Sequence, residues 1–306
     1  MTSFQAALIK NSMRLVQRVM FRLNINQDLN TQRKMIAGLN APPKLPETYQ
    51  VEALTANGVE AEWLYHQQAP QDKVVLDIHG GAFILGSIAM QRKFVYNLAR
   101  VSGARCLSVG YRLAPEHPYP AGLEDCLSVY RWLLEQGFSA QNILVVGDSA
   151  GGSLALALTL ALKDQGLPLP NALVLLSPCT DLLGTGASIK TKANLEAMLP
   201  PNVLDVTQKL YTNYQNLDHP YVSPLYGDYH AFPPMLIHVG TDEILLDDSI
   251  RLAEKAQQAG AAVQLKIWPG MFHVFTTFDN LPESKQSLRE MGDFIRARLS
   301  TRLLTD

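Results

Sequence analysis

The chain has 306 residues, 47% of them hydrophobic and 18% charged, with a formal net charge of −2. That suits a globular protein with a sizeable core and gives no electrostatic case for binding nucleic acid or an anionic membrane. Three cysteines without a C-x-x-C pair argue against a metal knuckle or disulfide framework and suit a reducing, cytoplasmic setting. Seven histidines lack ligand spacing such as H-E-x-x-H, so a metal enzyme is not expected.

In chain order, residues 1–27 carry Lys10, Arg14, Arg18 and Arg22, four apart, with apolar residues between and no acid before Asp28. The pattern predicts an amphipathic helix lying against the protein itself, with a helix on a membrane surface as the alternative. It lacks the unbroken apolar core of a signal peptide, and no run reaches the length of a membrane span. Residues 40–48 (NAPPKLPET) read as a linker. Two alternating segments, 49–56 and 59–66, flank Asn57-Gly58 and predict a hairpin. Short apolar runs at 74–79, 105–110, 142–147, 172–177, 234–240 and 262–268 read as buried strands. Helical patterns occupy 122–136, 150–165, 247–259 and 284–299, and Gly137, Gly166 and Gly260 stand just past three of them as left-handed caps. Strands alternating with helices imply a mostly parallel sheet covered on both faces, with functional groups at the strands' carboxyl ends.

Residues 184–224 break that rhythm, with one or two amphipathic helices and no convincing strand. The expected organisation is therefore an N-terminal cap at 1–40, a core at 41–183, a cap insertion at 184–224 and the rest of the core at 225–306.

The run Gly147-Asp148-Ser149-Ala150-Gly151 fits G-x-S-x-G between a strand and a helix, the setting of a nucleophile elbow. Side chains two before and two after the serine would collide, which explains Gly147 and Gly151. An N-capping serine in an ordinary turn is the plain alternative. His79-Gly80-Gly81-Ala82-Phe83 follows a strand, and its glycines can turn N–H groups toward one point. Gly80, Gly81 and Ala150 are the expected oxyanion donors; losing one such donor typically costs roughly 2.7–4 kcal/mol of barrier. His79 and Asp148 are read as supports that hold the loop and the elbow by hydrogen bonds. Glu124 and Asp125 are read as first-turn helix residues.

A serine nucleophile needs a base. Among His219, His230, His238 and His273, the last lies in the loop after the final strand, whereas His238 sits inside an apolar strand. The orienting acid is expected at Asp242, at the end of the 234–240 strand, with adjacent Glu243 as the alternative. Met198, Leu199 and Tyr211 are expected to shape the pocket.

Taken together, HGGAF, YRLAPEHPYPAGLEDC (111–126), GDSAGG, SPLYGD (223–228), DEILLDD and GMFHVF resemble the bacterial hormone-sensitive-lipase-like esterases of the α/β-hydrolase superfamily. The resemblance covers residues 50 to 300. It implies an α/β-hydrolase fold with a helical cap, no cofactor, and hydrolysis of short- to medium-chain acyl esters through an acyl-enzyme; some relatives open lactones or remove acetyl groups. A non-catalytic ligand-binding protein on the same fold is the rival class. The implied partner is a small ester; whether the chain also pairs as a homodimer is left open. Two departures stand out. Ala82 replaces the third glycine of H-G-G-G, and D-E-I-L-L-D-D stands where D-P-L-R-D-E is usual, which keeps Glu243 open as the acid.

Overall fold

The computed structural model describes residues 2–23, 29, 31, 33, 34 and 43–303, with backbone only for 15–23. Helix α1 (Phe4–Leu23) precedes the hairpin β1 (Tyr49–Ala56) and β2 (Val59–His66). Asn57 and Gly58 both take positive φ, 47° and 88°, as a two-residue hairpin turn requires. Then follow β3 (Val74–Ile78), α2 (Ile88–Ser102), β4 (Arg105–Gly110), α3 (Ala121–Glu135), β5 (Ile143–Asp148), α4 (Ala150–Asp164) and β6 (Ala172–Leu176). The chain ends with α5 (Ser188–Thr191), α6 (Val203–Thr212), β7 (Met235–Gly240), α7 (Leu246–Gln258), β8 (Val263–Trp268) and α8 (Pro282–Leu299).

The eight strands form one sheet in the order β1-β2-β4-β3-β5-β6-β7-β8. The β1–β2 and β2–β4 pairs are antiparallel and the rest are parallel. Residue alternation along each strand sends side chains to opposite faces. Leu76, Ile78, Val145, Leu173, Leu175 and Ile237 pack with α3, α4 and α7. Their neighbours Val75, Leu144, Val146, Val174 and Leu236 pack with α2 and α8. Helix α4 is buried from Ala150 to Leu162 on every side, so its sequence is apolar all round.

Helix α2 has no counterpart among the sequence patterns, because charged and apolar residues are mixed along it. Its ends are nevertheless marked: Ser87 accepts from the Met90 N–H at 3.3 Å, and Gly103 closes it at φ 65°. Gly137, Gly166 and Gly260 take φ of 88°, 64° and 87°, as their placement predicts.

Helix α1 does pack on the protein: Ala6 is buried in a small apolar cluster with Ala197, Trp268, Met271, Phe272, Phe275 and Leu281. Phe4 and Leu8 on its other side face solvent. Residues 24–28, 30, 32 and 35–42 of the expected N-terminal cap and linker lie outside the described residues. Among the described residues no helix is long and apolar enough to cross a membrane.

Candidate active site

Ser149 stands between β5 and α4 at φ 52°, ψ −120°, a strained conformation for a residue with a side chain. The surrounding backbone enforces it. The Ser149 N–H donates to the Leu176 carbonyl at 2.8 Å. A Cβ on Gly147 would lie 2.3 Å from the Gly151 carbonyl oxygen, and one on Gly151 only 1.9 Å from that of Ile78. The corner therefore exists only with these glycines, as the sequence pattern predicts.

His273 follows β8, between Phe272, buried in the small apolar cluster, and Val274, which is held at φ 45°. Its Nε2 lies 2.9 Å from Ser149 Oγ and its Nδ1 2.9 Å from Glu243 Oε2. Because an ionised carboxylate only accepts, Nδ1 carries the proton and Nε2 is the acceptor facing the hydroxyl. Glu243 is wholly buried. Its Oε1 accepts from Ser177 Oγ at 2.8 Å and from the Gly240 N–H at 2.6 Å, so both oxygens are used. Burial alone would lower the His273 pKa. The hydrogen bond and charge of Glu243 outweigh it, with added negative charge from Glu196 and Asp148, and the pKa is raised above its ordinary 6.5.

The expectation of Asp242 on the histidine is overturned by this geometry. Asp242 and Glu243 are consecutive in the turn after β7, and their side chains leave on different sides. Asp242 Oδ2 meets Lys10 Nζ at 2.5 Å, and Thr241 Oγ1 donates to Asp242 Oδ1 at 2.9 Å. Burial pushes the Asp242 pKa up, but the Lys10 hydrogen bond and charge outweigh that and hold it below the usual carboxylate range. A sequence signal was present: counted from Glu243, E-I-L-L-D-D keeps the length and acid spacing of D-P-L-R-D-E.

The loop after β3 also departs from expectation. The Gly80 N–H donates to Asp148 Oδ1 at 2.9 Å and is spent there, so Gly80 is not an oxyanion donor. A Cβ at Gly80 would sit 2.3 Å from Asp148 Oδ2, which shows how tightly the loop lies on the elbow. Asp148 also accepts from Gln91 Nε2 at 2.7 Å, and burial raises its pKa to about 6. Gly81 takes φ 123° and Ala82 follows at φ 54°, so the alanine in place of the third glycine adopts a left-handed conformation. Among the described residues no acceptor pairs with the backbone N–H groups of Gly81, Ala82 or Ala150.

His79 and Asp148, expected as supports, both make hydrogen bonds within this loop and corner. His79 Nδ1 donates to the Gly80 carbonyl at 2.7 Å, and its ring stacks on Tyr111 with centroids 4.3 Å apart. Burial lowers its pKa to about 4, so it stays neutral. Asp125 does more than start a helix: it accepts from Arg112 Nε and Nη2 and from the Arg112 N–H, fixing the loop 111–120. His238 is a core residue bonded to Ser287 at 2.7 Å.

Ser149, Ala150 and Ala82 open onto a cavity of about 30 Å³ closed by Ile189, Leu199, Leu204 and Ile244. Leu199 lines it as expected. Met198 instead is partly exposed, and Tyr211 stacks on Phe83 at 3.9 Å beside the cavity. Sequence reasoning did not identify Glu196 or Leu204, because nothing local marks them out.

An eight-stranded, mostly parallel sheet with a serine on a strained strand-to-helix corner defines an α/β hydrolase. Residues 75–277 match the α/β-hydrolase fold family. An esterase of Acinetobacter venetianus is 40% identical over 249 residues, covering 81% of this chain and 82% of its own. An acetyl-hydrolase of Streptomyces hygroscopicus is 39% identical over 247 residues, 80% of this chain and 82% of its own. The crystal structure of an esterase from the bacterial hormone-sensitive lipase family superposes with a TM-score of 0.91 at 36% identity, over 98% of this chain and all of that one. The chain belongs to the α/β-hydrolase family, among its bacterial hormone-sensitive-lipase-like carboxylic ester hydrolases.

Proposed function

We propose that the chain hydrolyses short acyl esters by a Ser149–His273–Glu243 triad. His273 Nε2 takes the hydroxyl proton as Ser149 Oγ attacks the ester carbonyl. Glu243 holds the imidazole in the required tautomer and stabilises the imidazolium. The N–H groups of Ala150, Ala82 and Gly81 receive the tetrahedral oxyanion. His273 then protonates the leaving alkoxide, and water activated by the same ring releases the acid. The observation that carries this reading is the serine–histidine–glutamate relay, both links at 2.9 Å and all three side chains buried.

A small, apolar acyl cavity supports short chains as substrates. So do the similar proteins: an acetyl-hydrolase, an ethyl acetate hydrolase of Pseudomonas putida at 35% identity, and a crystal of EstE5 soaked with p-nitrophenyl butyrate at 38% identity and TM-score 0.90. Helix α1 and residues 184–224 act together as the cap, a reading supported by the Arg14 contact with the Leu195 carbonyl. The test is labelling with a phosphonate ester: one equivalent should attach to Ser149, and Ser149→Ala should lose both labelling and turnover of p-nitrophenyl acetate while remaining folded. Full turnover by Ser149→Ala would end this reading.

We also read the protein as cytoplasmic, supported by three free cysteines. Pairing with a second copy is supported by the exposed edge strand β8, where Ile267 faces solvent. Sedimentation tests the pairing.

A further inference from the structure

We infer that Lys10 of α1 and Glu196 of the cap are positioning residues that brace Glu243 from both sides, so that the acid is in register with His273 only while α1 and the cap are seated. This rests on the reading of Glu243 as the orienting acid.

The residues before and after Glu243 are each held by a charged group from outside the core. Before it, the Asp242 carboxylate meets Lys10 Nζ at 2.5 Å. The same ammonium donates to the Gly270 carbonyl at 3.3 Å, three residues before His273. One cation thus ties the acid loop to the histidine loop, and the Asp242 N–H adds a bond to the Met271 carbonyl at 3.0 Å. After it, the Ile244 N–H donates to Glu196 Oε2 at 3.1 Å. The other oxygen of Glu196 accepts from the N–H groups of Ala197, Met198 and Leu199 at 2.9, 2.8 and 3.1 Å. A buried carboxylate with four N–H donors is satisfied as an anion. Through it the cap segment that carries Leu199 into the acyl cavity is tied to the residue after the acid.

The two braces are also joined to each other. Arg14 of α1 donates to the Leu195 carbonyl through Nε at 3.1 Å and through Nη2. Ala6 of α1 and Ala197 of the cap share the apolar cluster that surrounds Phe272. Ser3 fixes the start of α1 on Glu283, its N–H and Oγ donating at 2.6 and 2.9 Å. The circuit α1, acid loop, cap, α1 is closed.

An amide cannot do what Glu196 does. With its oxygen on the three N–H groups of 197–199, its NH2 would face the Ile244 N–H, donor against donor. Glu196→Gln should therefore release the acid loop. It also removes a negative charge that acts on His273 along with Glu243 and Asp148, so the acidic limb of the kcat profile should move to lower pH. Lys10→Met keeps the apolar stem and removes the cation.

For each variant kcat should fall roughly ten-fold with KM little changed, a fraction of the ~10²-fold that an ångström of misplacement can cost. Asp242→Asn should match Lys10→Met, and the double variant should be no worse than either. Unchanged kcat in Lys10→Met, or a rise in KM alone in either variant, would overturn the brace. So would additive losses in the Lys10 and Asp242 pair. Glu243→Gln, run alongside, separates the two readings. A crippled Glu243→Gln beside normal Lys10→Met and Glu196→Gln refutes the brace and leaves the triad standing. A fully active Glu243→Gln refutes the triad itself, and the brace with it.

Discussion

Replacing Glu243 by glutamine should inactivate the enzyme without unfolding it. The environment decides how the amide sits. Ser177 Oγ and the Gly240 N–H both donate to Oε1, at 2.8 and 2.6 Å, so the amide oxygen must take that side. The NH2 then faces His273 Nδ1, where Oε2 lay at 2.9 Å. Facing a donor, Nδ1 must become the acceptor, and the ring proton moves to Nε2. An Nε2–H opposite Ser149 Oγ cannot take the hydroxyl proton. The equivalent tautomer error in a serine protease triad costs ~10⁴ in kcat, or about 5.4 kcal/mol at 1.36 kcal/mol per decade. Asp242→Asn removes a partly exposed ion pair one residue away and should cost no more than about ten-fold, through positioning alone. The assay is initial-rate hydrolysis of p-nitrophenyl acetate by both variants, with thermal unfolding as the control. If Asp242→Asn were the crippled variant and Glu243→Gln nearly normal, the tautomer argument would be wrong.

With neutral His273 as the proposed base and its pKa raised by Glu243, kcat/KM should be full well above 6.5 and fall as pH drops through that raised value; a profile flat from about pH 5 to 8, the span around the ordinary imidazole pKa, would contradict this. Gly151→Ala would force a Cβ to 1.9 Å from the Ile78 carbonyl. Overpacking of this kind costs about 1–3 kcal/mol or more, so the melting temperature and the phosphonate-reactive fraction should both drop. Leu204→Ala should lengthen the acyl cavity it helps close. If two more CH2 groups become buried at ~0.8 kcal/mol each, the hexanoyl-to-acetyl ratio of kcat/KM should rise roughly ten-fold. An unchanged ratio would mean that another wall sets the chain length.

How much of this was legible beforehand differs from residue to residue. The elbow could be read because its constraint is local. Ser149, Gly147 and Gly151 sit within five residues, and the clash that demands the glycines involves the same turn and the neighbouring strand. His273 could be read because a loop after the last parallel strand must open at the sheet's carboxyl edge. The choice between Asp242 and Glu243 could not be settled from composition at the strand end. Both are carboxylates in one turn, and which one points inward depends on Lys10, Ser177 and Gly240 arriving from three other places. The engagement of the Gly80 N–H is hidden from the sequence for the same reason: its acceptor, Asp148, lies 68 positions along the chain.

The order of strands and helices along the chain, the sharp corner at Ser149 and the placing of His273 just beyond the last strand were set by short-range stereochemistry and apolar periodicity. These act between neighbours and leave a mark in any stretch of sequence. The direction of each side chain at the strand ends, the donors left free for an oxyanion and the closure of the acyl cavity were decided only when distant segments packed together. A hydrogen bond there depends on ångström-scale positions to which the whole fold contributes.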